Sequence, residues 1–576
     1  MGVPGFFLWL TKNYKKERFV FKKSSLPEDD PLLNKVKNID YFLIDTNCML
    51  HPVCFKILGE NPNITDINKL QKKMYKACLE YLEKIITIAE PKKGIYIAID
   101  GVAPVAKIKQ QRSRRFKSIH DRDLYNNIRK KHNKDIPFFW TNSCITPGTK
   151  FMRELNQIII NWSKEYSEKT KLEIIYSSCY TPSEGEHKLL QYIYKNKDKD
   201  YKYMTYGLDA DLIFLTLATG LEEIYLLRES NQINRKSSGF SIVSLSVMRN
   251  AIYNSFLVEL EGNKEYSEEN ITLDKENIIR DFIFICYLMG NDFLPHLPSL
   301  DIYDDAIDTL IMKYIECFYE LREYIVNKNS INMKFFKMLV EELYLIEEET
   351  LVTAFSKKKK PRFSCQSSDP YDIEIARIEN LMFKIDDPVK LGKGQLSEFR
   401  ERYYKYYFQV EPEEIDLFAE NMVYEYLRGL KWVTLYYFDT CPSWNYYYKY
   451  DHPPFMYDIY NYIKDKDDIF KNIKFDLGRA LYPYEQLLCV LPKESNFLLP
   501  KQLRKLMLNV NSSLAHLYPS KYKIDLINKK KYWMGIPELP QLEINLIKKV
   551  VKKYYNKLSK EDLEYNKVKN TFYFKN

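Results

Sequence analysis

Short apolar runs that end in acidic residues recur through the first half of this chain. Residues 41–44 run into Asp45, residues 94–99 into Asp100, and residues 203–207 lead to Asp209 and Asp211. A fourth run, 281–289, gives way to Gly290-Asn-Asp292, and the β-rich stretch 172–176 is followed by Glu184-Gly-Glu186. A strand that stops abruptly in aspartate is a poor core element. It does deliver oxygen ligands to one rim of a parallel sheet, where open α/β folds hold their sites. Between the runs, helical spacing predicts helices over 69–89, 107–131, 150–169 and 276–289. This alternation predicts an α/β fold over the first 350 or so residues, with a mainly parallel sheet flanked by helices.

The pattern breaks at residues 356–372, where four lysines and Pro361 lead into an aperiodic stretch; a linker or surface loop is expected there. The run Lys357-Lys-Lys-Lys-Pro-Arg362 also has the composition of a nuclear localisation signal, although a solvated basic loop is the simpler reading. Beyond residue 372 the chain reads as helical and tyrosine-rich to about residue 470, then loop-rich with prolines to Pro540, with an amphipathic segment at 543–558. The expected organisation is an α/β core over 1–355, the linker, and a mostly helical region over 373–576 packed on the core.

Composition narrows the function. At 576 residues the chain exceeds one ordinary core. Its 45% hydrophobic and 15% aromatic content excludes wholesale disorder. Of the net charge of +9, all is accounted for by residues 106–134, which hold eleven Lys or Arg and two Asp. A concentrated basic segment near acidic sites suits a polyanionic substrate. The ten cysteines show no C-x-x-C pair, which predicts reduced thiols in an intracellular protein. No stretch is long and apolar enough for a membrane span, and the first residues do not form a secretory signal; a soluble protein is expected.

Asp45, Asp100, Glu184, Glu186, Asp209, Asp211 and Asp292 are hard oxygen donors, which favour Mg²⁺ or Mn²⁺ over Zn²⁺. Two carboxylates about 5 Å apart repel by roughly 3 kcal/mol at an effective dielectric near 20, so a converging set calls for cations. A pair of ions roughly 4 Å apart suits phosphodiester cleavage. Taken singly, each acid has a structural reading: Ser183-Glu-Gly-Glu186 fits a capping box, and Asp209 could cap the helix that Asp211 begins. Five such segments in one chain favour the catalytic reading. Lys107, Gln111, Arg114 and Arg115 fall at i, i+4, i+7 and i+8, one face of a helix started by Pro104, and would form a terminal-phosphate pocket. Lys109, Arg112 and Lys117 lie on other faces, suited to general backbone contacts or solvation. His51 and Trp444 are candidate base-stacking residues, with core packing the competing reading for each.

The motifs together resemble the Xrn family of 5′→3′ exoribonucleases. The matching text includes Met1-Gly-Val-Pro4, Ile99-Asp-Gly-Val-Ala-Pro104, Gln110-Gln-Arg-Ser-Arg-Arg-Phe116, Thr146-Pro-Gly-Thr149, Glu184-Gly-Glu-His-Lys188, Gly207-Leu-Asp-Ala-Asp-Leu212 and Gly290-Asn-Asp-Phe-Leu-Pro-His-Leu-Pro298. It continues through Tyr426-Leu-Arg-Gly-Leu-Lys-Trp432, Pro442-Ser-Trp444, Pro483-Tyr-Glu-Gln-Leu487 and Val490-Leu-Pro492, with Trp533 near Leu539-Pro540.

The resemblance implies a PIN/FEN-like, Rossmann-type core completed by a second conserved region. It implies Mg²⁺-dependent, processive hydrolysis of 5′-monophosphorylated, decapped RNA to mononucleotides. It assigns all seven acids to metal binding and catalysis, Lys107, Gln111, Arg114 and Arg115 to the 5′-phosphate, and His51 to stacking on the first base. Trp444 lies in the matching aromatic motif, but Tyr446 stands where the family usually has a second Trp, so either could be the stacking partner. Gly5 replaces the usual basic residue after the opening motif. The chain stops soon after the second conserved region; its compactness, and a richness in Tyr (48), Phe (32), Lys, Ile and Asn with scarce Gly (17) that reads as AT-rich coding bias, suggest a viral or parasite version. The expected partners are single-stranded RNA with a 5′-monophosphate and the decapping machinery. The protein is expected to be a cytoplasmic monomer, with a nuclear location if residues 357–362 act as a signal. Two alternatives differ in class: a FEN-like flap nuclease and a non-catalytic scaffold for RNA 5′ ends. Residues 376–576 and the Gln110–Phe116 text speak against the first, and an intact set of seven acids against the second.

Overall fold

The computed structural model describes residues 9–10, 20–25, 27–28, 30–208, 210–230, 239–262, 271–300, 306–356 and 365–575. The Met1–Pro4 motif, Gly5, Asp209 and the basic run 357–362 lie outside the described residues.

One eight-stranded sheet organises the chain. Its strands are β1 (Val20–Phe21), β2 (Tyr41–Asp45), β3 (Gly94–Ala98), β4 (Glu173–Ser177), β5 (Tyr203–Tyr206), β6 (Ile224–Glu229), β7 (Phe240–Ser244) and β8 (Phe572–Phe574). Their spatial order is β1-β7-β6-β5-β2-β3-β4-β8. The five central strands, β6-β5-β2-β3-β4, are parallel, and the strands added at both edges are antiparallel. The acid-tipped runs at 41–44, 94–99 and 203–207 are therefore strands, as their apolar continuity predicts for a sheet covered on both faces. Alternation along β2 shows the covering directly. Tyr41 and Leu43 enter one core, whereas Phe42 and Ile44 enter the other.

The helices that matter for the site are α1 (Asn47–Glu60), α2 (Ile67–Ala89), α3 (Val105–Lys131), α4 (Lys150–Thr170), α5 (Gly185–Lys195), α6 (Ala210–Ala218), α7 (Lys275–Tyr287), α8 (Met333–Ser356), α9 (Ile415–Phe438), α10 (Met456–Ile463) and α11 (Pro483–Val490). The four helices expected from periodicity are α2, α3, α4 and α7. The run 281–289 is thus helical, and its acid follows a helix end.

Three cores hold these layers. The first covers one sheet face and continues without interruption through α5 to α10, as far as Ile473. The second covers the opposite face with α1, α2 and α4. The third joins α3, through Val105, Ile108 and Phe116, to α11 and to residues from 499 to 558. The amphipathic segment at 543–558 sits here, burying Ile544, Ile547, Val550 and Val551. The chain end returns to the sheet: β8 pairs with β4 in the register Phe572–Tyr176 to Phe574–Ile174, closing an edge that would otherwise present unpaired backbone groups. No helix among the described residues is long and apolar enough to cross a membrane. All ten cysteines are free thiols.

Candidate active site

Chain order runs β2, β3, β4 to one side of β2, and β5 and β6 lie on the other. That reversal is a topological switch point, and the crevice beyond the carboxyl ends of such strands is where open α/β folds bind ligands. Asp45 is the last residue of β2, Asp100 follows β3 by two residues, and Asp211 lies in the first turn of α6 beyond β5. Glu184 and Glu186 flank the start of α5, and Asp292 follows α7. Six of the seven expected acids are thereby brought to one rim; Asp209 is the one outside the described residues.

The acids are buried and held by specific partners. Asp100 accepts hydrogen bonds from the Gly185 N–H (2.7 Å) and the Asn47 side-chain amide (2.9 Å), and its own N–H donates back to Asn47 Oδ1 (3.1 Å). Asp45 accepts from the Asn47 N–H at 3.3 Å and the Cys48 thiol at 2.9 Å. Tyr436 on α9 donates its hydroxyl to Glu184 Oε2 at 2.9 Å. Burial raises the pKa of Asp100, with neighbouring Glu184 adding to the shift against the Gly185 N–H and Lys107.

Gly185 is required by space. A Cβ there would lie 2.6 Å from Asp45 Oδ1 and 3.3 Å from Asp100 Oδ1. Ser183 does not cap α5. The cap is Glu184 with no side-chain bond to the helix, while Ser183 has a positive φ of 100° and its hydroxyl pairs with His187 Nδ1. The capping-box reading of this segment is therefore corrected, because the left-handed turn at Ser183 points its hydroxyl along the helix instead of at the N3 amide.

Lys107 sits among the acids, 2.5 Å from both Glu184 Oε1 and Asp292 Oδ2. Burial opposes its charge, but Glu184, Glu186 and Asp211 outweigh it and raise its pKa. Lys107 lines the same cavity as Gln111, Arg114 and Arg115, as its spacing predicts, and its ammonium is drawn to the carboxylates there. Among the described residues, no three His, Cys, Asp or Glu side chains close on one point as they would around a bound ion. The donor set is nevertheless the hard-oxygen type that divalent cations such as Mg²⁺ take, and it is crowded enough that one ammonium cannot neutralise it.

These groups open into a cavity of about 520 Å³ whose lining includes Asp45, Asp100, Glu184 and Glu186 together with Lys107, Gln111, Arg114, Arg115 and His51. Arg115 donates to Thr146 Oγ1 at 2.6 Å, and its other terminal nitrogen is buried with no hydrogen-bond partner among the described residues. Burial, reinforced by Arg114, lowers its pKa to about 10, so it stays charged near neutral pH. Gln111 accepts from the Gln486 amide of α11 at 3.3 Å. An anion would satisfy the orphaned Arg115 donor, which unpaired carries a penalty.

Trp444 is not among the residues lining this cavity. It packs half-buried against the first core, and its main-chain carbonyl receives the Val105 N–H at the start of α3. Tyr446 is buried, with its hydroxyl donating to Glu425 O at 2.9 Å, so it has no face to offer a base.

Much of the basic segment is engaged within the protein. Lys109 binds the carbonyls of Tyr448 and Tyr450 and pairs with Asp451. Arg112 is buried and donates to the carbonyls of Cys489 and Leu517. Lys117 pairs with Asp121, Lys131 and His132 with Glu374, and Lys134 with Asp369. The expectation of a general polyanion patch is thus corrected: α3 is a basic spine on which the second region docks, with Arg114 and Arg115 turned to the cavity. Sequence reading missed Asn47, Thr146, Tyr436 and Gln486. Thr146 and Gln486 lie inside quoted motifs, but nothing in one sequence shows which atoms such residues orient.

Comparison with known proteins adds relatives to this geometry. The family described as XRN 5′-3′ exonuclease N-terminus matches residues 1–230, and the Xrn1 helical domain matches residues 272–369 and 366–576. A protein named 5′-3′ exoribonuclease 2 from Debaryomyces hansenii is 28% identical over 733 residues, covering 100% of this chain and 72% of that protein. A 5′-3′ exoribonuclease 2 homolog from Drosophila melanogaster is 28% identical, covering 98% of this chain and 72% of its own length. The human 5′-3′ exoribonuclease 1 is 30% identical, with 98% of this chain matching 35% of it.

Proposed function

The chain belongs to the Xrn family of 5′→3′ exoribonucleases, and from that premise we propose that it hydrolyses single-stranded RNA from a 5′-monophosphate end, one nucleotide at a time, with Mg²⁺ as cofactor. The observation that carries this reading is the sharing of one cavity by the buried acids and by Gln111, Arg114 and Arg115.

Asp45, Asp100, Glu184, Glu186, Asp211 and Asp292, together with Asp209, would hold two divalent ions. Bound ions supply charge stabilisation of the reacting phosphodiester and an activated water; Mn²⁺ shares the donor preference and would substitute. The protein's own groups do the rest. Arg114 and Arg115 receive the terminal phosphate, with Thr146 fixing the Arg115 guanidinium and Gln486 fixing Gln111. Arg forks grip phosphate oxygens bidentately, which sets the phosphate's orientation as well as its affinity. Lys107 pairs with Glu184 and Asp292 and offsets part of the acids' charge. Recognition of a terminal phosphate by Arg114 and Arg115 would favour a 5′-monophosphate end over a capped one, so RNA released by decapping is the matching substrate class. Each cut leaves a new 5′-phosphate, so direction and processivity follow from the group recognised.

The test uses RNAs of one sequence with 5′-monophosphate, 5′-hydroxyl and capped ends. The purified protein with Mg²⁺ should convert only the first to mononucleotides, and a chelator should stop it. Equal turnover of all three ends would contradict the assignment.

A further inference from the structure

Cys48, His51, Pro52 and Phe55 of α1 all line the catalytic cavity. Their spacing of i, i+3, i+4 and i+7 places them on one stripe of the helix. Phe55 is 47% exposed in a cavity that also presents Asp45, Asp100, Glu184 and Arg114. Its ring meets Trp140 edge-to-face, with centroids 6.0 Å apart at 86°, and the buried Trp140 packs in turn on Phe151. An isolated exposed phenylalanine calls for no explanation. This one is oriented by a buried tryptophan and opens onto an ionic pocket one helical turn from His51.

We infer that Phe55 is a second base-stacking platform, holding a nucleobase of the RNA beside the one that His51 addresses; the inference rests on the proposed function. Four residues of helix rise about 6 Å. Stacked apolar atoms sit about 3.5 Å apart, so two neighbouring bases of one strand are spaced closely enough to meet the two side chains separately. Stacking is indifferent to base identity, because every base has a π-face. It therefore suits an enzyme that must accept each successive nucleotide. Phe55 adds grip at the end being cut without adding charge to a cavity already crowded with it.

The test is equilibrium binding by the full chain carrying Asp211→Asn, so that the RNA stays intact. The probes are 5′-monophosphorylated oligonucleotides with fluorescent 2-aminopurine as the first, second or third base. Stacking quenches 2-aminopurine. Phe55→Ala and Phe55→Leu should weaken binding about tenfold, within the range for loss of one base–aromatic stack, and restore fluorescence at one of the first two bases. Phe55→Trp should keep both affinity and quenching. The leucine variant keeps the apolar contact with Trp140, so it answers the question even if the alanine variant folds poorly. Wild-type affinity and quenching in Phe55→Leu overturn this inference and leave the proposed function standing. Failure of the parent protein itself to bind 5′-monophosphorylated RNA overturns both.

Discussion

At the residue scale, the site depends on small groups that hold large charges in place. Gly185 is the sharpest case, since any side chain there meets the Asp45 carboxylate. Gly185→Ala should lower Mg²⁺-dependent turnover by about 100-fold, the size of effect that misplacing a catalytic group by about 1 Å produces. Thermal unfolding of that variant should move by only a few degrees; near-wild-type turnover would show that the acids tolerate displacement. Replacing Arg114 and Arg115 together by alanine should shrink the preference for 5′-monophosphate over 5′-hydroxyl RNA by about 100-fold, near 3 kcal/mol for two charge-assisted hydrogen bonds, as read from the ratio of kcat/KM values. The six described acids were legible in the sequence because five separate segments each lead into carboxylates, a recurrence that outweighed the structural reading each acid has on its own. The second layer was not. Asn47 gripping Asp100 and Tyr436 capping Glu184 are contacts across 53 and 252 residues, which no local pattern encodes.

At the scale of elements, α3 shows how a correct spacing can carry an incomplete meaning. Its helix and its cavity-facing arginines follow from i, i+4, i+7 spacing, but the same charge run also reads as a surface for RNA. Lys109 and Lys131, with Lys134 just beyond the helix, instead tie to backbone carbonyls and acids of residues 369–451. Only the tertiary fold decides which cations are already satisfied. The junction of α8 and α10 makes a similar point with a buried acid. Glu347 accepts the Met456 and Tyr457 N–H groups, both at 2.8 Å, at the start of α10, where a carboxylate also favours the helix dipole. Burial nonetheless raises its pKa to about 7. A carboxyl whose folded pKa exceeds its unfolded value loses stabilising effect as pH rises from about 4.5 to 7. The difference in unfolding free energy between wild type and Glu347→Gln should therefore fall across that window, by up to about 3 kcal/mol. Denaturant titrations at pH 5 and pH 8 check this, and a difference that grows with pH would contradict it.

At the scale of the molecule, the first core passes from the sheet through to Ile473, and the third seats α11 on α3. The cavity is lined by residues between Asp45 and Leu208, but the second part braces that lining, with Tyr436 donating to Glu184 and Gln486 to Gln111. Residues 1–355 expressed alone should show no cooperative unfolding transition and no cleavage of 5′-monophosphorylated RNA; a stable, active fragment would mean that the shared core is dispensable. The return of β8 to the edge of β4 went unread in the sequence, because three residues at the end of a polar segment carry too little pattern to mark a strand. The proposed function requires the terminal phosphate at Arg114 and Arg115 and the scissile bond at the acids to lie one nucleotide apart. The most direct measurement is the size of the first product from RNA labelled on its 5′-phosphate. The label should leave as a mononucleotide from the earliest time point, and release of a labelled dinucleotide or longer fragment would contradict the account.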